Sequence, residues 1–334
     1  MSHDLDYSTG KPAMAYVGQV PWHGLGEQLP PGQPIETWIE AARLNWHIHT
    51  LPVHFHFQGH DRIMPDRFVL ARDDTGDALS VVSGDYQVVQ PGEVLEFYRD
   101  LVAERHYTLE TAGALAGGRK VWALARTGLV RDVAGNPADK LGAYVLLATS
   151  CDKSLATTAT FTSIRVVCQN TLGFAFKDVK MNERRHIKID HMTKFDPRPV
   201  KEQLGLIDAA WSRFMGRIDP MARYPLKGPA VQKFVESLFL SDKDIEEGKS
   251  PGNAKYKEIN QIMSLFESAR GQDLATAKGT LWGAVNAVTN YVDHVRTTRS
   301  VERIDSAWFG TGAALKEKAW DRAMELIESE QKAA

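Results

Sequence analysis

The sequence predicts an α+β fold: an antiparallel, β-rich first half with a β-β-β-α core, then a helical second half. Three observations predict it. Apolar residues alternate with period two through most of the chain up to Val166, in runs joined by short turn-forming segments. Beyond Phe176 the apolar spacing changes to that of helices. Strands come first and helices second, without the strand–helix alternation of a parallel sheet. A chain of 334 residues allows roughly two domains on a ~150-residue prior. The divisions fall at 1–33, an extended segment; 34–190, the α+β core domain; and 191–334, the helical region.

The opening segment is rich in Gly and Pro and contains PWHGLGEQLPPG, Pro21–Gly32. Its Trp22 and His23 read as an anchor that docks the loop on the core. Pro34–Asn45 reads as a helix, with Pro34 in its first turn and Ile35, Trp38, Ile39 and Ala42 on one face. WHIHTLPVHFHF then alternates as a strand, with Pro52 marking an edge or a bulge. Phe68–Val89 reads as a hairpin turned by Asp74-Thr75-Gly76-Asp77. Gly92–Arg105 follows as a helix, and Tyr107–Thr111 with Lys120–Thr127 as a second hairpin. Gly128–Leu141 is turn-rich. Lys120–Thr127, Tyr144–Ser150 and Leu155–Val166 make three consecutive strands, with a helix expected from Val167. Further helices are expected at Val200–Arg217, Pro229–Leu240, Ala254–Ala269, Asp273–Val295 and Gly312–Glu328, and a polar loop at Ser241–Gly252.

Composition removes several classes of function. Two cysteines in 334 residues are no disulfide framework, and their spacing is no zinc ribbon, which fits a reducing cytoplasm. The polar, acidic start MSHDLDYSTG reads as neither a signal nor a transit peptide. No apolar run reaches the ~18 residues of a membrane span. GALAGGRK, Gly113–Lys120, lacks the spacing of a phosphate loop and the Ser/Thr after its lysine.

Charge is the positive signal. The chain nets −2, but residues 111–176 hold 7 Lys/Arg against 3 Asp/Glu and residues 177–233 hold 13 against 7, a block of +10. Residues 1–110 hold 7 against 16, and residues 234–334 hold 13 against 16. Such segregation suits an anionic partner, nucleic acid first, or a basic face neutralised by the chain's own acidic ends.

The third strand carries the basic block's most regular feature. Thr158, Thr160 and Thr162 alternate and so share a face beside Lys153 and Arg165. Such a row suits contacts to successive phosphates, and equally the cross-strand pairing that threonine favours in sheets. Downstream, Lys177, Lys180, Arg184, Arg185, His186 and Lys188 cluster within 12 residues. Single-strand binders join such cations to stacking rings, for which Trp122, Tyr144 and Phe161 are candidates if they are not core. Cys168 has no histidine partner in the sequence and reads as core, and Asn170 as a cap. His54 with His56, and His47 with His49, would share strand faces. Imidazole pairs of this kind bind zinc or copper, but no acidic or cysteine ligand stands at a recognised spacing, so no metal ligand and no cofactor is assigned.

Three segments carry a resemblance: SIRVVCQNTL, PWHGLG upstream, and SAWFGTGAALKEKAW near the end. With them the chain resembles the phage/plasmid-like proteins filed as domain of unknown function nine-three-two, which implies an accessory protein of a mobile element. The order of three antiparallel strands and a helix beside a basic groove also resembles the core of phage and Rad-type single-strand annealing proteins. That resemblance implies rings or filaments that anneal single-stranded DNA without ATP, with Lys153, Arg165 and the cations from Lys177 to Lys188 as backbone contacts. The chain departs from it in its acidic first third and its long helical half.

The expectation is therefore a cytoplasmic, homo-oligomeric, single-stranded-DNA-binding protein of the annealing type, with no catalytic residue assigned and no membrane contact. One alternative is an interaction module that inhibits a host defence or replication factor. Another is a metal-dependent enzyme built on the histidines from His47 to His60.

Overall fold

The computed structural model describes residues 5–21, 24–105, 107–165, 167, 171–173, 186–189, 191, 207–296 and 303–333. The chain forms two compact units: Met1–Gly128 with Tyr144–Phe161 and Lys177–Leu206, and Leu129–Ala143 with Thr162–Phe176 and Ile207–Ala334. The expected β-rich first half and helical second half are both present.

In the first unit β1 (Met14–Val17) pairs in parallel with β2 (Glu27–Leu29). The helix expected over Pro34–Asn45 is α1 (Ile35–Ala41), with Pro34 as its N-cap and Ala42 as its C-cap. Three strands then build one sheet in the order β3 (Ile48–Phe57), β4 (His60–Arg72), β5 (Ala78–Val82). The β4–β5 turn is the predicted Asp-Thr-Gly-Asp segment, and the β3–β4 register breaks between Pro52 and His54, where Pro52 signals an edge or a bulge. The helix expected over Gly92–Arg105 is two helices, α2 (Pro91–Glu96) and α3 (Arg99–Arg105). They part at Phe97 and Tyr98, whose side chains are both buried. The Tyr98 hydroxyl accepts from the Leu147 N–H at 2.9 Å and lies 2.9 Å from the Ala123 carbonyl, fixing this corner to the sheet.

The larger sheet continues through β6 (Thr108–Leu115), β7 (Lys120–Val133), β8 (Asn136–Ser150), β9 (Thr157–Arg165) and β10 (Thr171–Gly173). Its order is β10-β9-β8-β7-β6-β1-β2, and β11 (His186–Ile189) also pairs with β9. Two sequence expectations are corrected here. Gly128–Leu141 is no loop: β7 and β8 run on to a two-residue turn at Ala134-Gly135, both at positive φ (46° and 80°), the backbone that tight hairpins select. After β9, Thr171–Gly173 pair antiparallel with Thr162–Ile164 where a helix from Val167 was expected. The unit boundaries fall within β7, β8 and β9.

The second unit holds the helices α4 (Ile207–Arg223), α5 (Pro229–Ser237), α6 (Asp242–Glu246), α7 (Tyr256–Ser268), α8 (Leu281–Asn290), α9 (Arg303–Trp308) and α10 (Thr311–Ala333). A π-helical turn, Tyr291–Val295, extends α8. All ten residues of α8 are buried, the polar Asn286, Thr289 and Asn290 among them, so it forms the centre of this unit. The helix expected from Asp273 starts only at Leu281. Gly279 sits at φ 66°, a break in any helix, and the Thr280 hydroxyl caps the new start by accepting from the Gly283 N–H at 3.1 Å. α6 lies in the expected polar loop and is set by the Ser241–Asp244 capping box.

Gly216 is exposed within α4, with no heavy atom within 4 Å of where a Cβ would stand. Gly216→Ala is expected to raise stability by about 0.5–1 kcal/mol, because a helical glycine loses more backbone freedom on folding. A urea midpoint that falls in this variant would contradict the assignment.

Candidate nucleic-acid interface

The first unit brings part of the basic block together through its turns. The Cys151 N–H donates to the Arg119 carbonyl at 2.9 Å, so the β6–β7 turn lies against the segment that follows β8. Arg119 and Lys153 are exposed there, and Lys120 is half-exposed. Lys153 occupies the left-handed region at φ 66°, which places it at the apex of a tight turn. Burial raises the neighbouring Asp152 carboxyl, but the Ser154 and Ser150 hydrogen bonds and the Lys120 charge together hold it below the usual range. Cys151 beneath is buried, and desolvation pushes its thiol up to about 12, which leaves it unreactive near neutrality.

Other sequence-predicted residues serve the interior. Arg165 is buried and bonds Asp139 through Nε at 2.6 Å and Nη2 at 2.7 Å, and its Nη2 also donates to the Gly271 carbonyl at 3.1 Å. It is thus corrected from a phosphate contact to a core ion pair, since a guanidinium enclosed with its carboxylate presents no donor to solvent. Thr158 and Thr162 are buried and Thr160 half-buried, so the threonine row is no open face. The Thr158 hydroxyl donates to the Ala156 carbonyl at 2.7 Å, and Thr149 and Thr157 share a hydrogen bond of 2.8 Å. Trp122, Tyr144 and Phe161 are core residues, not stacking platforms. Lys177, Lys180, Arg184 and Arg185, with Cys168 and Asn170, lie outside the described residues, as do Trp22 and His23. Lys188 stands opposite Thr158 in the β11–β9 pairing.

The histidine strand β3 is exposed along most of its length. His56 Nδ1 lies 2.9 Å from Asp61 and His47 Nδ1 3.6 Å from Asp73. Among the described residues no group of three His, Cys, Asp or Glu side chains could hold a metal ion.

Sequence reasoning picks out this strand for its imidazoles and misses its phenylalanines. Beyond the register break Phe55 and Phe57 alternate with His54 and His56, so the two rings share one face of the end of β3. Before the break Leu51 stands opposite Val69, which stands opposite Val81, so these three share a face across all three strands. Leu51, Phe55, Phe57 and Val81 are 49%, 45%, 50% and 52% exposed. The opposite face is the covered one at the root of the sheet, where Ile48, Leu70 and Val82 are buried. An antiparallel sheet with one face on the core normally turns polar residues outward. Here the end of the β3–β4 hairpin is exposed on both faces, with Phe55 and Phe57 on one and Ile63, opposite His54, on the other. The signal is present in the sequence as HFHF, and in the structure all four of these residues are exposed.

No described helix is long and apolar enough to cross a membrane. A family model described as Domain of unknown function (DUF932) matches residues 78–308. No curated protein and no solved structure matches the chain.

Proposed function

Because the chain belongs to this family, whose description states no activity, we propose a function from its own residues: it is a single-stranded-DNA-binding protein. The proposal extends to annealing-type action without ATP, by a homo-oligomer, in the cytoplasm of a host that carries a mobile element. The observation that carries it is the segregation of charge, +10 over residues 111–233 between acidic flanks, with Arg119 and Lys153 exposed on adjoining turns. Neutralising phosphates releases condensed counterions, which is the main source of affinity for a binder that does not read sequence.

The test is fluorescence anisotropy of a labelled single-stranded oligonucleotide across a salt series. Binding should tighten steeply as salt falls. Arg119→Ala/Lys153→Ala should weaken it across all sequences and flatten the salt slope by about 0.7 for each phosphate that is no longer neutralised. A purified protein that leaves the oligonucleotide free at low salt overturns the proposal.

A second reading draws on the first 110 residues, with 16 Asp/Glu against 7 Lys/Arg. An acid-rich surface of this kind suits an inhibitor of a host nucleic-acid-binding protein, and retention of such a protein after nuclease treatment would favour it.

A further inference from the structure

We infer that the end of the β3–β4 hairpin is the contact through which two copies of this chain associate, the copies lying antiparallel and centred on Met64. The inference rests on the homo-oligomer part of the reading above and names the surface that makes it.

The arm stands open. β3 is the edge of its sheet, and β5 pairs only with residues 68–71 of β4, so residues 60–67 have no second neighbour strand among the described residues. A two-stranded hairpin by itself is marginal in water. Of the eleven large apolar side chains exposed among the described residues, five fall here: Leu51, Phe55, Phe57, Ile63 and Met64. Such a concentration marks an interaction site.

The course of β4 decides how contact is made. Pro52 stands opposite Phe68 and His54 opposite Ile63, so residues 64–67 stand as a bulge against Val53 alone, with Asp66 at φ 56°. Pro65 has no N–H to donate. A bulge, a proline and charges on an edge block the addition of a further strand through its backbone. Side chains are left to make the contact.

Those side chains are complementary to themselves. Residues 61–67 read Asp-Arg-Ile-Met-Pro-Asp-Arg. Reversed about Met64, Asp61 meets Arg67 of a second copy and Arg62 meets its Asp66, and the two-fold axis repeats both pairs. A two-fold contact requires this match of a patch with itself. Ile63 and Met64, 59% and 45% exposed, lie between the charges and form an apolar centre with a charged rim. The rim sets register and partner, and the centre supplies affinity. Existing contacts of these groups, His56 with Asp61 and Arg67 with the Asp66 carbonyl, are exposed and leave them accessible.

The same charges disfavour other occupants. Residues 48–82 hold five Asp against three Arg, and Arg72 is buried with Asp6 and Asp74, so nucleic acid and anionic lipid meet a net acidic surface. A partner of one dominant sign would face like charge at two of the four positions.

The closing experiment is sedimentation equilibrium of the full chain. Wild type should associate in pairs. Asp61→Arg/Arg62→Asp keeps the net charge but sets Arg against Arg and Asp against Asp at all four positions. It should raise the dissociation constant about tenfold or more, with the thermal midpoint near wild type because both positions are exposed. At 1 M salt, where the screening length falls to about 3 Å, the two proteins should converge. Ile63→Ser/Met64→Ser should weaken association at either salt. Wild type that stays monomeric overturns the inference together with the homo-oligomer reading and assigns the arm to a different partner. Association equal in wild type and both variants overturns this contact alone and leaves the homo-oligomer to another surface. A charge-exchanged variant that remains as far below wild type at 1 M salt overturns the charge match. Oligonucleotide anisotropy on the same samples reports single-strand binding separately.

Discussion

Replacing Asp139 with alanine is expected to cost about 3–5 kcal/mol of folding stability, the range for removing one partner of a buried ion pair. The side chains of Asp139 and Arg165 are 0% and 1% exposed. The carboxylate accepts from Arg165 Nε at 2.6 Å and Nη2 at 2.7 Å, and from the Thr276 hydroxyl at 2.5 Å. Without it the guanidinium would keep one protein acceptor among these groups, the Gly271 carbonyl at 3.1 Å, and a full charge with no counter-ion. Urea denaturation should show the midpoint falling at constant m, the sign of reduced stability without a change in the surface exposed. Asp139→Ala/Arg165→Met should recover much of the deficit, because a neutral side chain of similar length removes the stranded charge. A single variant no less stable than wild type would contradict the enclosure of this pair. The same geometry predicts that Arg165→Ala destabilises the second unit, so a loss of binding in that variant would not by itself report a ligand contact.

Gly283→Ala is expected to be the most damaging glycine substitution in the helical unit, at about 3 kcal/mol or more, the upper range for overpacking. A Cβ there would stand 2.0 Å from the Ala277 carbonyl oxygen, 2.9 Å from its carbon and 3.0 Å from Gln272 Oε1. The first two are backbone atoms and cannot rotate away. The same loop is tied to α8 by the Gln272 amide, which donates to the Gly283 carbonyl at 2.9 Å, so displacing it also strains the Thr276 bond to Asp139. Thermal denaturation of Gly283→Ala beside Gly216→Ala gives opposite signs from the same change of chemistry. A Gly283→Ala midpoint near wild type would mean that helix and loop do not approach this closely.

The strand-to-helix order is legible because period-two and helical spacing are local properties of the chain. The β4–β5 turn and the strand break at Pro52 are legible for the same reason, through the φ preferences of Gly and Pro. What fails depends on partners distant in sequence. Gly128 and Pro137 look like loop formers, yet the strands around them continue because the Ala134-Gly135 turn fits their twist. Arg165 looks like a phosphate ligand until Asp139 stands against it, 26 residues earlier. Trp122, Tyr144 and Phe161 look equally like platforms or core, and only the packing around the sheet decides. On β3 the alternation suggests one buried set, yet past Val53 both sets are exposed, because the end of the hairpin has nothing packed on either face among the described residues.

The way the second unit draws on three separate stretches of chain sets the timing of its assembly. Asp139 and Thr276 are 137 residues apart. At a synthesis rate of ~5–20 residues per second, an interval of roughly 7–27 seconds separates their emergence from the ribosome. Arg165 at the end of β9 emerges 26 residues after Asp139, so for most of that interval the pair has left the ribosome, but the loop and central helix that complete its surroundings have not. A nascent chain stopped before residue 270 therefore holds Asp139 and Arg165 without their enclosure. A fragment begun at Ile207 holds the enclosure without either charge.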